Sequence, residues 1–234
     1  MKDRVAREHP SGDLYAVVTA DLVVSRDLPD RREWQGRLRD LVDRLNTWHQ
    51  SDLAAPFMIT LGDEIQGLIR DPRRFPPVVA TVHSTIRPDR ITVGVGIGPI
   101  ATALAVRVTE MDGPAFVRAR EAVEFGKEAG REVVVVSGTP AADVVLNALY
   151  ALLGGIQRRW TVKQWERVSL YRQHRSLEKV AQAVGVSKQA VSLGLRYTVW
   201  DRVLEVEQRL PEIVASLLGL PGPAQASAGP KERG

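Results

Sequence analysis

The chain has 234 residues, a formal net charge of +4, 44% hydrophobic and 26% charged residues, and no cysteine. That length holds one core of ordinary size plus a small second unit, and the missing cysteine excludes disulfides, thiolate metal sites and a cysteine nucleophile. The mild positive charge permits a nucleic-acid partner without requiring one.

The start, MKDRVAREHPSGD, has no apolar segment, so no signal peptide is expected and residues 1–12 are expected to be disordered. No run reaches about 18 uninterrupted apolar residues, so no membrane span is expected. With the absent cysteine, this suggests the cytoplasm.

Residues 14–20, LYAVVTA, are β-branched and aromatic and predict a central strand. Residues 32–50 carry Trp34, Leu38, Leu41, Leu45 and Trp48 at spacings of 4, 3, 4 and 3, which predicts an amphipathic helix. PFMIT (56–60) and IQGLIR (65–70) read as a hairpin turning at Gly62. FPPVVATVHSTI (75–86) starts a helix at its double proline. RITVGVGIG (90–98) is a strand, 117–130 a helix ending at Gly130, 131–138 a strand and 143–160 a helix.

The order is β-α-β-β-α-β-α-β, followed by helices alone. It predicts an α+β fold: a ferredoxin-like or palm-like sheet with helices on one face over residues 13–157. An all-helical unit over 158–218 and a disordered tail rich in Pro, Gly, Ala and Ser over 219–234 are expected to follow.

Asp21 stands just past the end of the first strand, and Asp63 and Glu64 at the hairpin tip. Alone, Gly62-Asp63-Glu64 is a plain turn. In the expected sheet, strand one neighbours the hairpin, so Asp21 and Asp63 approach each other. Two close carboxylates repel unless a cation or proton lies between them. Mg²⁺ or Mn²⁺ suits such a site, with Glu64 as a weaker third ligand, because the ion keeps positions for phosphate oxygens.

VVTADLVVSR, TLGDEIQGLI, ITVGVGIGPI and DGPAFVRAREA together resemble the SatD family of bacterial proteins, over roughly residues 14–210. The same blocks are more distantly similar to class III nucleotidyl cyclases and diguanylate (GGDEF) cyclases. Asp21-Leu22 matches the metal Asp and following apolar residue at the end of their first strand. Gly62-Asp63 matches their hairpin Asp, Gly94 to Gly98 their later glycine strand, and residues 112–120 the start of their helix. This resemblance implies a palm domain that binds a nucleoside triphosphate through two divalent ions. It departs at the transition-state helix, where only Arg118 and Arg120 stand near the usual Asn and Arg. No lysine–aspartate pair for adenine recognition can be placed.

VGVGIGP lacks the GK[ST] of a phosphate-binding loop. Gly94, Gly96 and Gly98 alternate, so they share one side of the strand and admit either a closely packed helix or a ligand. Arg26, in the loop after Asp21, has the chemistry to meet phosphates, or simply faces solvent. His9, His49, His83 and His174 are scattered, and no zinc site follows.

Residues 157–209 hold eleven basic residues, among them Arg158, Arg159, Lys163, Arg167, Arg172, Arg175, Lys179 and Arg202. Within them, SLEKVAQAVGVSKQAVSLGLR resembles a helix-turn-helix, as in sigma-factor region four and many bacterial regulators. Ser176 and Ser187 are expected caps, Leu177, Val180, Ala181 and Val184 the apolar face of the first helix, and Val191 and Leu195 the buried face of the second. The resemblance places the second helix in a DNA major groove, with Ser187, Lys188, Gln189, Ser192 and Arg196 exposed toward it. Residues 160–175 form a supporting helix with Trp165, Val168 and Tyr171 as core. Residues 197–218 are expected to continue as a helix, interrupted or bent at Pro211, that pairs two chains on a palindromic site.

Three readings stay open. One is a DNA-binding regulatory protein, a homodimer on double-stranded DNA, with a nucleotide- and Mg-binding domain. Another is a nucleotidyl cyclase-like enzyme in which Arg118 or Arg120 steadies phosphates. The third is a non-catalytic protein-interaction module.

Overall fold

A computed structural model describes residues 13–22, 31–60, 62–86 and 91–221. The disorder expected at both termini and the position of Arg26 fall outside these described residues, apart from residues 219–221. There Gly219, left-handed at φ 65, lets the Leu220 N–H bond back to Ala215 O at 2.9 Å and close the last helix.

The expected elements occur in the expected order, with shifted ends. They are β1 (Tyr15–Leu22), α1 (Arg31–Trp48), β2 (Leu53–Ile59), β3 (Glu64–Ile69), α2 (Phe75–Ile86) and β4 (Ile91–Gly98). Next come α3 (Pro114–Ala129), β5 (Val133–Val136) and α4 (Pro140–Gln157). The remainder is helical: α5 (Val162–His174), α6 (Leu177–Val184), α7 (Lys188–Tyr197) and α8 (Trp200–Leu217). Both α3 and α4 start three residues earlier than their periodicity suggests, because Pro114 and Pro140 supply a preset first-turn φ and need no N–H partner.

The sheet order is β2-β3-β1-β4-β5. Each of the first four strands runs antiparallel to its neighbours, the split β-α-β arrangement of a ferredoxin-like unit, and β5 adds in parallel beyond β4. The open edge of β5 does not invite another strand. Asn147 of α4 donates to Val135 O and accepts from Val135 N, both at 2.8 Å, taking the place of a sixth strand there.

One face of the sheet carries Ala16, Val18, Ala20, Ile65, Ile69, Val93, Val95 and Ile97. It is covered by α1, through Leu38, Leu41 and Leu45, by α2 and by α4. The helices after Gln157 extend this same apolar core rather than enclosing one of their own. Helix α8 packs on α2 and α4, and α5 on α2. Trp160 joins them: its ring lies 4.6 Å from that of Trp165 and 6.4 Å from that of Trp200. Its Nε1–H donates to Thr198 O at 3.0 Å.

Helices are not confined to one face, as the topology had suggested. Helix α3 lies on the opposite face, over β4, β1 and β5. The physical reason is the glycine row. Register pairs Gly94, Gly96 and Gly98 with Thr19, Val17 and Tyr15, so all three point to the second face. A Cβ at Gly94 would stand 2.5 Å from Ala119 O, and one at Gly96 would overlap the Ala115 carbonyl and the Ala119 amide. On α3 the buried residues are Ala115, Ala119, Ala122 and Gly126, with Val123 the one larger side chain, beside Gly94. Two smooth surfaces let helix backbone rest on strand backbone.

The last two helices are also not continuous. Val199, at φ 53, breaks the chain between α7 and α8, whereas the helix runs on through Pro211. A β-branched residue in the left-handed region is strained, and the Trp160–Thr198 bond beside it helps hold the turn. No helix among the described residues is long and apolar enough to cross a membrane.

Two stability predictions follow from the backbone contacts. Gly96→Ala must lift α3 off the sheet and is expected to cost about 3 kcal/mol. Gly98→Ala meets the Arg118 guanidinium end first, which can move, and the Ala115 amide nitrogen less closely at 3.2 Å, and is expected to cost about 1 kcal/mol. Equal losses for the two variants in chemical denaturation would contradict this account of the contact. Val199→Asn should raise stability by about 1 kcal/mol, since Asn tolerates the left-handed region; a lower melting temperature would refute it.

Candidate functional site

On the second face α3 covers β4 and leaves the β1–β3 surface partly open. The loop before α3 closes one end of it, with Val108 and Met111 packed against Val17, Leu68 and Ala55. A cleft of about 410 Å³ remains. Thr19 and Gln66 form its floor, Arg120, Val123, Glu124 and Lys127 of α3 one wall, and Thr109 and Asp112 lie across from them. Gln66 Nε2 donates to Thr19 Oγ1 at 2.9 Å, which fixes the amide's orientation. Arg120 and Lys127 are outnumbered by Glu64, Asp112 and Glu124 among the lining residues.

The carboxylates expected to hold metal meet differently from expectation. Asp21 lies inside β1, not past its end, because the ladder continues to Leu22 opposite Ile91. Its cross-strand partner on β3 is Glu64, and on β4 Thr92. Asp63 belongs to the turn with Gly62, whose φ of 59 is the left-handed geometry expected of that glycine. Asp21 and Glu64 are therefore the opposed pair. Asp21 Oδ2 accepts from Lys127 Nζ at 2.6 Å, and Glu64 Oε1 accepts from the Thr60 hydroxyl at 2.7 Å.

This arrangement does not fit the two-ion site that the cyclase resemblance implies. Among the described residues no group of three or more His, Cys, Asp or Glu could hold a metal ion. Lys127 already supplies Asp21 with a positive charge, and a second cation at the same carboxylate would be repelled by it.

The two arginines proposed for phosphate separate. Arg118 Nη1 donates to Ile97 O at 2.5 Å, and its guanidinium lies along Gly138, whose φ is 75. It braces β4 against the loop after β5. Arg120 lines the cleft. Leu22 is within β1, and its side chain and Arg26 lie outside what is described. Lys127, Thr19 and Gln66 were not singled out from sequence. The available signal for Lys127 was its place seven residues after Arg120, two turns along one face of α3.

Far from the cleft in sequence, α6 and α7 are joined by three residues. Ser176 caps α6 by accepting from Lys179 N at 3.3 Å, and Ser187 caps α7 by accepting from Ala190 N at 3.2 Å. Gly185 ends α6 at φ 67, and Val186 N bonds back to Ala181 O at 3.1 Å. Val180, Ala181, Val191 and Leu195 are buried with Trp165 and Val168 of α5, while Tyr171 is half-buried. Lys188, Gln189 and Arg196 are exposed, and Ser192 is half-buried. Ser187 is exposed, with its oxygen engaged in the cap. Tyr197 and Leu193, 74% and 49% exposed, share the outer side of α7 and were not anticipated.

If Lys127 is what compensates Asp21, then Lys127→Met should leave Asp21 without a countercharge opposite Glu64. Titration calorimetry should show Mn²⁺ affinity at least about tenfold above the parent, abolished again by Asp21→Asn. Indistinguishable Mn²⁺ isotherms for parent and Lys127→Met would remove the argument.

None of the curated proteins matches the chain. Among solved structures, the crystal structure of a regulator of polyketide synthase expression from Bifidobacterium adolescentis aligns at 15% identity. The alignment covers 89% of this chain and 80% of that one, with a TM-score of 0.26, and nothing about fold or role is drawn from it. The model of the SatD family matches residues 15–199, from the start of β1 to the break before α8. That span is more than half of the chain, which therefore belongs to the SatD family.

Proposed function

We propose that the chain is a DNA-binding regulatory protein whose α6–α7 unit is a helix-turn-helix that docks on double-stranded DNA. The observation that carries this reading is the capped three-residue turn, which presents α7 with one buried side and Lys188, Gln189 and Arg196 free on the other. A helix offered in this way fits a major groove. Lys188 and Arg196 have the charge for phosphates or guanine, Gln189 the paired donor and acceptor for adenine, and Tyr197 a broad surface for sugar or methyl groups. Pairing of two chains would suit a palindromic site, but α8 spends Trp200, Val203, Leu210 and Val214 inside the chain, so its pairing surface lies elsewhere.

The cleft supports a second reading, a nucleotide site. Asp21 and Glu64 face each other beside it, and Arg120 lies on its wall within reach of a bound anion. A nucleoside triphosphate with Mg²⁺ or Mn²⁺ would need Lys127 drawn away from Asp21. With Lys127 in place the cleft is better suited to a ligand that brings no metal, read by Thr19, Gln66 and Arg120. Cyclase-like chemistry has less support than ligand sensing, since Arg118 is tied to Ile97 O.

A mobility-shift titration on a mixed-sequence duplex tests the DNA reading. The parent should bind with an affinity that falls steeply with salt. Lys188→Ala and Arg196→Ala should each weaken binding and lower the log–log salt slope by about 1. Folded variants that bind as the parent does, or a parent that ignores duplex DNA, would overturn it.

A further inference from the structure

A second and larger hollow, about 950 Å³, lies between the sheet's covering helices and the C-terminal helices. Its volume is in the range of pockets that enclose a small organic molecule. Pro77 and Ala80 of α2 face Trp165 of α5 and Leu204 of α8 across an apolar floor. The polar groups along α2 are turned inward. Thr81 Oγ1 donates to Pro77 O at 3.0 Å and Ser84 Oγ to Thr81 O at 3.1 Å. His49, also on the wall, is 2.9 Å from Thr81 Oγ1 through Nε2, and burial lowers its pKa, so at neutral pH it adds no charge.

The charged residues divide unequally. Glu207 is held by Arg172 at 2.7 Å, which makes that pair neutral. Arg172 Nε is buried and has no hydrogen-bond partner among the described residues. What remains is Arg44 and Arg175 against a single exposed Glu166. Arg44 lies 5.5 Å from the centre of the Trp48 ring, which is 54% exposed at the mouth. The side chain of Arg175 makes no ion pair among the described residues.

We propose that this hollow binds an amphipathic organic anion: an apolar body on the Pro77–Ala80–Trp165–Leu204 floor and a carboxylate or sulfonate toward Arg44 and Arg175. An apolar floor alone would accept neutral and charged ligands alike; the excess of guanidinium at the mouth selects the anion. The occupant would touch α1 and α2 on one side and α5 and α8 on the other, bridging the sheet and the helices that carry α7. Binding here stands apart from the nucleotide cleft, which is on the opposite face of the sheet.

Anilinonaphthalene sulfonate is the probe, titrated into the full chain by fluorescence. A saturable signal is expected, displaced by decanoate below its micellar range at least about tenfold more effectively than by decanol. Arg44→Glu and Arg175→Glu, both on the surface, should weaken decanoate at least about tenfold and leave decanol unchanged. Ala80→Trp, filling the floor, should remove the signal. The proposal is overturned by an unsaturable probe signal, by equal displacement with decanol, by charge-reversed variants with parental decanoate affinity, or by binding that survives in a folded Ala80→Trp protein.

Discussion

The contact of α3 with β4 governs the second face of the sheet. Gly94, Gly96 and Gly98 leave Thr92 as the one side chain of β4 on that side of a central strand. Ala115, Ala119, Ala122 and Gly126 keep the facing side of the helix low, with Val123 beside Gly94. At Gly94 and Gly96 helix backbone lies against strand backbone, with nothing that can move aside for an added methyl group. Once α3 is seated, its other residues have no freedom of address: Arg118 meets the carbonyl of Ile97, Arg120 enters the cleft, and Lys127 reaches Asp21.

The same seating decides the electrostatics. Asp21 and Glu64 oppose each other across neighbouring strands, a placement that would be costly for two bare carboxylates. Lys127 and the Thr60 hydroxyl relieve it from within the chain. The cleft thus carries its own countercharge. That distinguishes it from an acidic site waiting for a metal, although the residue types are those a metal site would use.

On the first face the C-terminal helices are tied to the sheet unit by apolar burial and by a few directed bonds. Trp160, Trp165 and Trp200 cluster, Arg172 lies 4.7 Å from the Trp200 ring centre, and Glu207 accepts from both Arg172 and Gln157. Helix α8 spends its apolar stripe on this junction. Helix α7 does not, and its outer side stays exposed, with Leu193 and Tyr197 on it. The large hollow sits at the same junction, where a bound molecule would touch both groups of helices.

Local pattern in the chain was enough to determine the element order, the Gly62 turn, the caps at Ser176 and Ser187, and the buried faces of α1 and α7, apart from Trp48, which continues the α1 stripe but stays exposed. Each depends on residues within a few turns or strand positions of one another. The alternating glycines were legible as a smooth strand face, but not which helix would use it, since α3 lies about twenty residues downstream. The sequence order brings Asp21 near the hairpin tip, with Asp63 as its expected neighbour. The ladder register, set by the whole length of β1 against β3, put Glu64 there instead. Lys127 lies 106 positions from Asp21, and no local rule joins the two; only the docking of α3 does. Side-chain types and their periodicity are written locally, whereas which charge neutralises which, and which faces enclose a hollow, follow from packing between elements distant in the chain.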